Sequence, residues 1–251
     1  MTHVAAKSPP SWPIVRTAGY DGYVVSFANQ LSEPANRAAL AFRDAVERAE
    51  WDGVEETSTS LVSTYLRFDP LWQDHGWMRT EITGLLRQQD WFEADLPEGR
   101  KLWRVPTVYG TDIAPQLKEA AATAGMSVQE AITSISGART RVQTIGFAPG
   151  QPYLGELPPA WDIPRQTKLT DKVPAGALVV AIRQLVLFSI SAPTGWRHIG
   201  QTGFRLFQPE ANHPFVLRPG DEVLFEPTTV EKLATMEERD ANGGATSELI
   251  K

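Results

Sequence analysis

Apolar and polar positions change period near the middle of the chain. Residues 23–27 are a β-branched and aromatic run that predicts a strand. Ser32, followed by Glu33 and Pro34, supplies a helix start, and Ala39, Phe42, Val46 and Ala49 then recur at spacings of three and four. That helix has one apolar face, with Arg37, Arg43, Asp44 and Arg48 on the wet side. Two short strands are expected over 54–59 and 61–68, the second placing Val62, Thr64, Leu66 and Phe68 on one face before Asp69-Pro70 stops it. A helix over 80–89 turns Ile82, Leu85 and Leu86 inward, and a strand over 101–107 completes a βαββαβ order.

That order is the ferredoxin-like plan. It assigns residues 19–108 to an α/β domain behind a frayed, disordered N-terminus over 1–18. Past Tyr109-Gly110, Ile113, Leu117, Ala120 and Ala124 mark a helix ended by Gly125. A capping box from Ser127 to Glu130 opens a second helix, ended by Gly137, so residues 109–137 read as a helical linker. From 139 onward helical period is lost. Extended runs over 139–147, 177–182, 185–191, 204–207 and 222–225 alternate with Gly and Pro, which predicts a β-barrel or sandwich over 138–229. A short helix over 230–239 and a flexible tail fill 230–251, and the fold class is α+β.

Composition narrows the partners. With 251 residues, 42% hydrophobic and 22% charged, the chain can bury two cores. A net charge of -6 offers no clustered cations for nucleic acid or anionic lipid, so neither is an expected partner. The absence of cysteine removes disulfides, thiol nucleophiles and Cys-ligated zinc together. The opening residues lack the apolar core of a secretory signal, and no run approaches a membrane span, so the expected location is the cytoplasm.

Candidate chemistry concentrates between residues 146 and 200. Three Gly and two Pro between Gly146 and Gly155 enclose Phe147, Tyr153 and Leu154. Such a loop either presents backbone amides beside aromatic walls to a small molecule or shapes a barrel corner. Arg165, after Pro164, either clamps a carboxylate or phosphate or ties its loop to the barrel. Gln184 either meets an amide ligand or satisfies barrel backbone, and Trp196 is either core or platform beside Gly195. His198 is expected to face solvent, Asp221 to cap its own turn, and no histidine completes a metal or triad pattern.

The series Gly146-Phe147-Ala148-Pro149-Gly150-Gln151-Pro152-Tyr153-Leu154-Gly155, Pro164-Arg165, Val173-Pro174-Ala175-Gly176, Gln184, Gly195-Trp196, Ile199-Gly200 with Thr202, and Pro219-Gly220-Asp221 resembles the pattern of the family that contains KipI and the B-subunit of 5-oxoprolinase (PxpB). That family includes one half of the carboxyltransferase domain of urea carboxylase, often called allophanate hydrolase subunit 1. The resemblance implies a cyclophilin-like β-barrel at the C-terminal side and a small α/β domain before it. As a site it implies Phe147, Pro149, Gly150, Tyr153, Arg165, Pro174, Gly176, Gln184, Gly195, Trp196, Gly200 and Thr202, with no metal.

It further implies the smaller subunit of a hetero-oligomeric, ATP-dependent amidohydrolase that opens 5-oxoproline to glutamate, or a related carboxyltransferase unit. The partners implied are a C-subunit homologue of the KipA or PxpC kind and an A-subunit homologue of the LamB/YcsF kind, with a small amide or lactam as substrate. The other implied activity is KipI-like regulation of a sensor histidine kinase, for which apolar residues from Leu185 to Phe188 would be an interface. Four departures stand out, the first being that the His-Ser pair usual on the second linker helix is absent around Ser134 to Ser136. Apolar residues occupy 185–188 where the family has a Gly-rich, Thr- and Tyr-bearing segment, Gln151 stands where an aromatic is usual, and Thr194 where a Gly is expected.

Overall fold

In the computed structural model, which describes residues 11–250, the chain divides between Pro97 and Glu98. The first unit contains β1 (Ile14–Ala18), β2 (Gly22–Ser26), α1 (Glu33–Arg48), β3 (Val54–Ser60), β4 (Ser63–Phe68) and α2 (His75–Leu86). Its sheet runs β1-β2-β4-β3 with every pairing antiparallel. The three-and-four spacing in α1 buries Ala39, Phe42 and Val46 in one cluster with Tyr23, Val25, Phe27, Leu66 and Phe68 from the sheet. Helix α2 begins five residues earlier than its apolar pattern suggests, because the Asp74 carboxylate accepts from the backbone N–H groups of Gly76 and Trp77.

The expected βαββαβ order is not what forms. β2, α1, β3 and β4 make a split βαβ, but the place beside β2 is taken by β1. β1 lies inside the segment expected to be disordered, whose first ten residues fall outside the described range. Ile14, Val15 and Thr17 are β-branched, yet the strand is only partly covered, so its apolar signal is weak.

The second unit contains β5 (Arg100–Tyr109), α3 (Leu117–Thr123), α4 (Val128–Ser136), β6 (Thr140–Ile145), β7 (Pro152–Gly155), β8 (Thr170–Val173), β9 (Ala177–Ala181), β10 (Gln184–Leu187), β11 (Ala192–Thr194), β12 (Arg197–Gln201), β13 (Glu222–Pro227), α5 (Val230–Arg239) and β14 (Thr246–Ile250). Seven of these strands close a ring in the order β5-β12-β9-β10-β7-β6-β13 and back to β5. The β13–β5 seam is parallel and every other pairing in the ring is antiparallel. The strand expected to finish the N-terminal domain is therefore a stave of the barrel.

Nor is the helical pair a linker. Leu117, Ala120 and Ala121 of α3 and Ala131 and Ile135 of α4 join Leu154, Leu185 and Phe225 in the barrel cluster. The capping box forms as read, with Ser127 N donating to Glu130 Oε2 at 2.8 Å. Residues 204–207 are not a strand, and Phe207 makes only an isolated bridge to Phe215. Helix α5 is where the sequence places it. The flexible tail is overturned: β14 pairs with residues 100–104 of β5, and only Lys251 lies outside the description.

Strands β9 and β10 are buried on both faces. Leu178, Val180, Leu185 and Leu187 belong to the barrel cluster, while the alternating Val179, Val186 and Phe188 pack with Trp196 in a second one. That second layer carries the candidate site.

Candidate functional site

A cavity of about 280 Å³ opens on the second layer. Tyr153 of β7 pairs in register with Val186 of β10, and its ring meets Trp196 edge to face at 6.2 Å. Phe188 lines the cavity from the end of the same β10 run, Phe147 and Gln151 from the β6–β7 loop, and Arg165, Gln166 and Leu169 from the loop before β8. Pro193, Thr194, Gly195 and Trp196 complete the wall.

The β6–β7 loop has one shape. Gly146 N donates to Gln151 O at 3.0 Å and Gln151 N to Ala148 O at 3.1 Å. Phe147 sits at φ 72, an unusual conformation for an aromatic residue, and is 71% exposed. Gly150 adopts φ 71, and a Cβ there would stand 2.7 Å from Leu206 O, so the chain passes too close for any side chain.

The loop before β8 is fixed from three directions. The buried Arg197 donates from Nη1 to Pro164 O at 2.7 Å and from Nε to Glu119 at 2.9 Å. Gln166 N donates to Gly195 O at 2.7 Å, and Gln166 Nε2 to Trp196 O at 3.0 Å. Gln116, just ahead of α3, donates to Gln166 Oε1 at 2.8 Å and accepts from His198 N at 2.8 Å. The result is that Arg165 is held with its guanidinium carbon 5.4 Å from the Trp196 ring centroid, and it has no hydrogen-bond or ion-pair partner among the described residues. No carboxylate lines the cavity, so that positive charge is unopposed there. Thr194 Oγ1 accepts from Trp196 N at 3.0 Å, which makes this residue a turn-holder in the wall.

Of the expected site residues, Phe147, Tyr153, Arg165, Gly195 and Trp196 line this one cavity. The other expected residues are elsewhere. Pro149 is exposed in the β6–β7 loop, Gly150 backs onto Leu206, and Pro174 O accepts from Ala177 N in the β8–β9 turn. Gly176 and Thr202 line a separate cavity of about 340 Å³ with Ser189, Arg205 and Glu237. At Gly176, φ 78 and the closeness of Thr202 O exclude a side chain, and Thr202 Oγ1 donates to Gly176 O at 3.2 Å. Gln184 Nε2 donates to Gln143 Oε1 at 2.8 Å between buried side chains, and Gly200 abuts Thr107.

Reading the sequence missed Gln166, Leu169 and Pro193, and marked Gln151, Val186, Phe188 and Thr194 only as departures. His198 is buried, not solvent-facing; desolvation lowers its pKa, against smaller upward effects from the Gly200 backbone and Gln201. Leu185, Val186, Leu187 and Phe188 are buried as well, so they offer no exposed interface. Asp221 accepts from Arg218 N and Lys101 N, as a turn residue does. Among the described residues no group of three or more His, Cys, Asp or Glu could hold a metal ion, and no helix is long and apolar enough to cross a membrane.

A family model described as carboxyltransferase domain, subdomain C and D, matches residues 13–217. The chain is 38% identical over 149 residues to the 5-oxoprolinase B-subunit of Escherichia coli O157:H7, a match that spans 58% of this chain and 68% of that protein. It is 28% identical over 218 residues to the 5-oxoprolinase B-subunit of Bacillus subtilis strain 168, covering 84% and 91%. The crystal structure of TTHA0988 superposes with a TM-score of 0.69 at 30% identity over 86% of this chain, which spans only 40% of that longer one. The Kluyveromyces lactis urea carboxylase superposes at 0.67 with 17% identity, covering 94% of this chain and 24% of its own, and is alike in fold.

Proposed function

Because the chain belongs to the carboxyltransferase domain family, subdomain C and D, with 5-oxoprolinase B-subunits among its relatives, we propose that it is the smaller subunit of an ATP-dependent enzyme acting on a C–N bond of a small amide or lactam. The substrate favoured is 5-oxoproline, opened to glutamate through a phosphorylated intermediate, with ATP as co-substrate. A C-subunit homologue completes the active site, and an A-subunit homologue joins the assembly. The observation that carries this reading is the cavity itself: it holds an unopposed guanidinium and two side-chain amides but no carboxylate, imidazole or thiol to act as base or nucleophile. Such a set recognises an anionic amide and leaves the chemistry to a partner. Arg165 receives the substrate carboxylate, and its contact with the Trp196 face orients the exposed guanidinium along the cavity wall.

The test is to purify the chain alone and with its C- and A-subunit homologues, and to follow ATP-dependent glutamate release from 5-oxoproline. Only the assembly should turn over, and Arg165→Ala should raise its KM by about tenfold. Turnover by the isolated chain would defeat the shared site. A silent assembly would defeat the reaction.

A further inference from the structure

Gln151 has hydrogen-bonding capacity that nothing in the protein uses. It is 1% exposed, and its Oε1 is enclosed without a partner. Its position is not a matter of chance, since its backbone N–H and C=O are both tied into the β6–β7 loop. Folded proteins leave few buried polar atoms unpaired, and each one forgoes a hydrogen bond. The other side-chain amide of the cavity is the opposite case: Gln166 accepts from Gln116 and donates to Trp196 O. Among the buried side-chain atoms of this wall the unsatisfied capacity therefore rests with Gln151, beside the Arg165 guanidinium and the Tyr153 hydroxyl, which also lack partners among the described residues. Around them Leu169, Val186 and Phe188 present hydrocarbon.

We infer that Gln151 determines the specificity of this cavity by accepting a hydrogen bond from an N–H of the ligand, and that the ligand is an anionic amide with an apolar flank. Arg165 takes the carboxylate, Gln151 Oε1 the N–H, and Leu169, Val186 and Phe188 the flank. The inference rests on the proposed function for the amide class, and goes beyond it in assigning the residue and the flank. N-acyl derivatives of aliphatic amino acids carry all three groups. 5-Oxoproline carries only the first two.

Isothermal titration of the full chain decides the matter with four probes: N-acetyl-leucine, its methyl ester, its analogue with an ester oxygen in place of the N–H, and 5-oxoproline. N-acetyl-leucine should bind the isolated chain about tenfold more tightly than its methyl ester or its ester-oxygen analogue, since a site that pairs a ligand carboxylate and N–H discriminates strongly against the absence of either. It should also bind more tightly than 5-oxoproline, which lacks the flank and is fully enclosed only when the C-subunit homologue completes the site. Gln151→Leu should bring the N–H and ester-oxygen analogues to within about twofold of each other, while still preferring acid over methyl ester. Arg165→Ala should do the reverse. If Gln151→Leu fails to fold, Gln151→Met, which keeps the length and loses the acceptor, carries the comparison. Equal binding of the N–H and oxygen analogues by the unmodified chain overturns the inference, as does no binding of N-acetyl-leucine or a Gln151→Leu variant that still discriminates. Tighter binding of 5-oxoproline overturns the apolar flank and leaves the enzyme-subunit reading standing. Discrimination without glutamate release by the assembly does the opposite.

Discussion

A buried imidazole makes the stability of this protein depend on pH. His198 is enclosed, its Nε2 has no partner, and desolvation holds its pKa below the ordinary value. The unfolded chain, titrating near about 6.5, binds its proton before the folded chain does. This contribution to stability is therefore complete above that value and is lost as pH falls through it toward the lower folded one. Thermal melts between about pH 7.5 and about pH 5 should show Tm falling across that window, and His198→Gln should flatten the fall. A variant curve parallel to that of the unmodified chain would clear His198 of the effect. The sequence hid this residue because what surrounds β12 is remote in the chain: Gln116, which accepts from the His198 backbone N–H, is 82 positions away. Arg165 and Trp196 were easier to pair, since each lies within a short Pro- or Gly-marked stretch of the same family pattern. Gln166 and Leu169 carried no such signal, because their place depends on Arg197 holding Pro164.

Among elements, the β9–β10 hairpin stores a correctable strain. Its two turn residues, Ile182 and Arg183, have φ 45 and φ 61, the left-handed pair of a two-residue turn that Asn-Gly sequences fill easily. Arg183 uses the position, since its Nε donates to Leu157 O at 3.0 Å and its guanidinium meets Glu156 at 2.9 Å. Ile182 is half-exposed and β-branched, so only its backbone N–H, which donates to Ile163 O, contributes there. Ile182→Asn should stabilise the chain by about 1 kcal/mol, read as a higher urea midpoint with an unchanged slope. No gain, or a loss, would mean that the Ile182 side chain packs in a way its exposure conceals. The same hairpin explains which elements could be read. β9 and β10 are continuous apolar runs because both faces are covered, and α4 announces itself by its capping box. β7 and β12 begin with proline and arginine and include glycine, and they are strands because their neighbours in the ring supply partners on each side.

At the scale of the molecule, the last strand protects an edge. β5 has β13 along one side, but β12 reaches only Val108 and Tyr109 on the other, and β14 covers residues 100–104. Deleting residues 245–251 should uncover that stretch, lower Tm by about 5 °C and promote self-association visible by light scattering. A monodisperse truncated chain of unchanged Tm would show that β14 is dispensable. Local pattern recognised that a barrel follows residue 138, yet it missed that the barrel begins at residue 100. A parallel pairing between Leu102 and Glu222 leaves no trace in either neighbourhood. That seam also sets a timetable. On the ribosome, β5 emerges long before its partner β13, and the interior cannot be sealed until the chain has been made past Pro227. Through that interval Val105, Leu154, Leu185 and Leu187 face water or whatever shields nascent chains, whereas the first unit has all its strands at hand by Phe68. Production of this protein is thus expected to be limited by the waiting time of an open barrel, and to improve with slower synthesis or added chaperone.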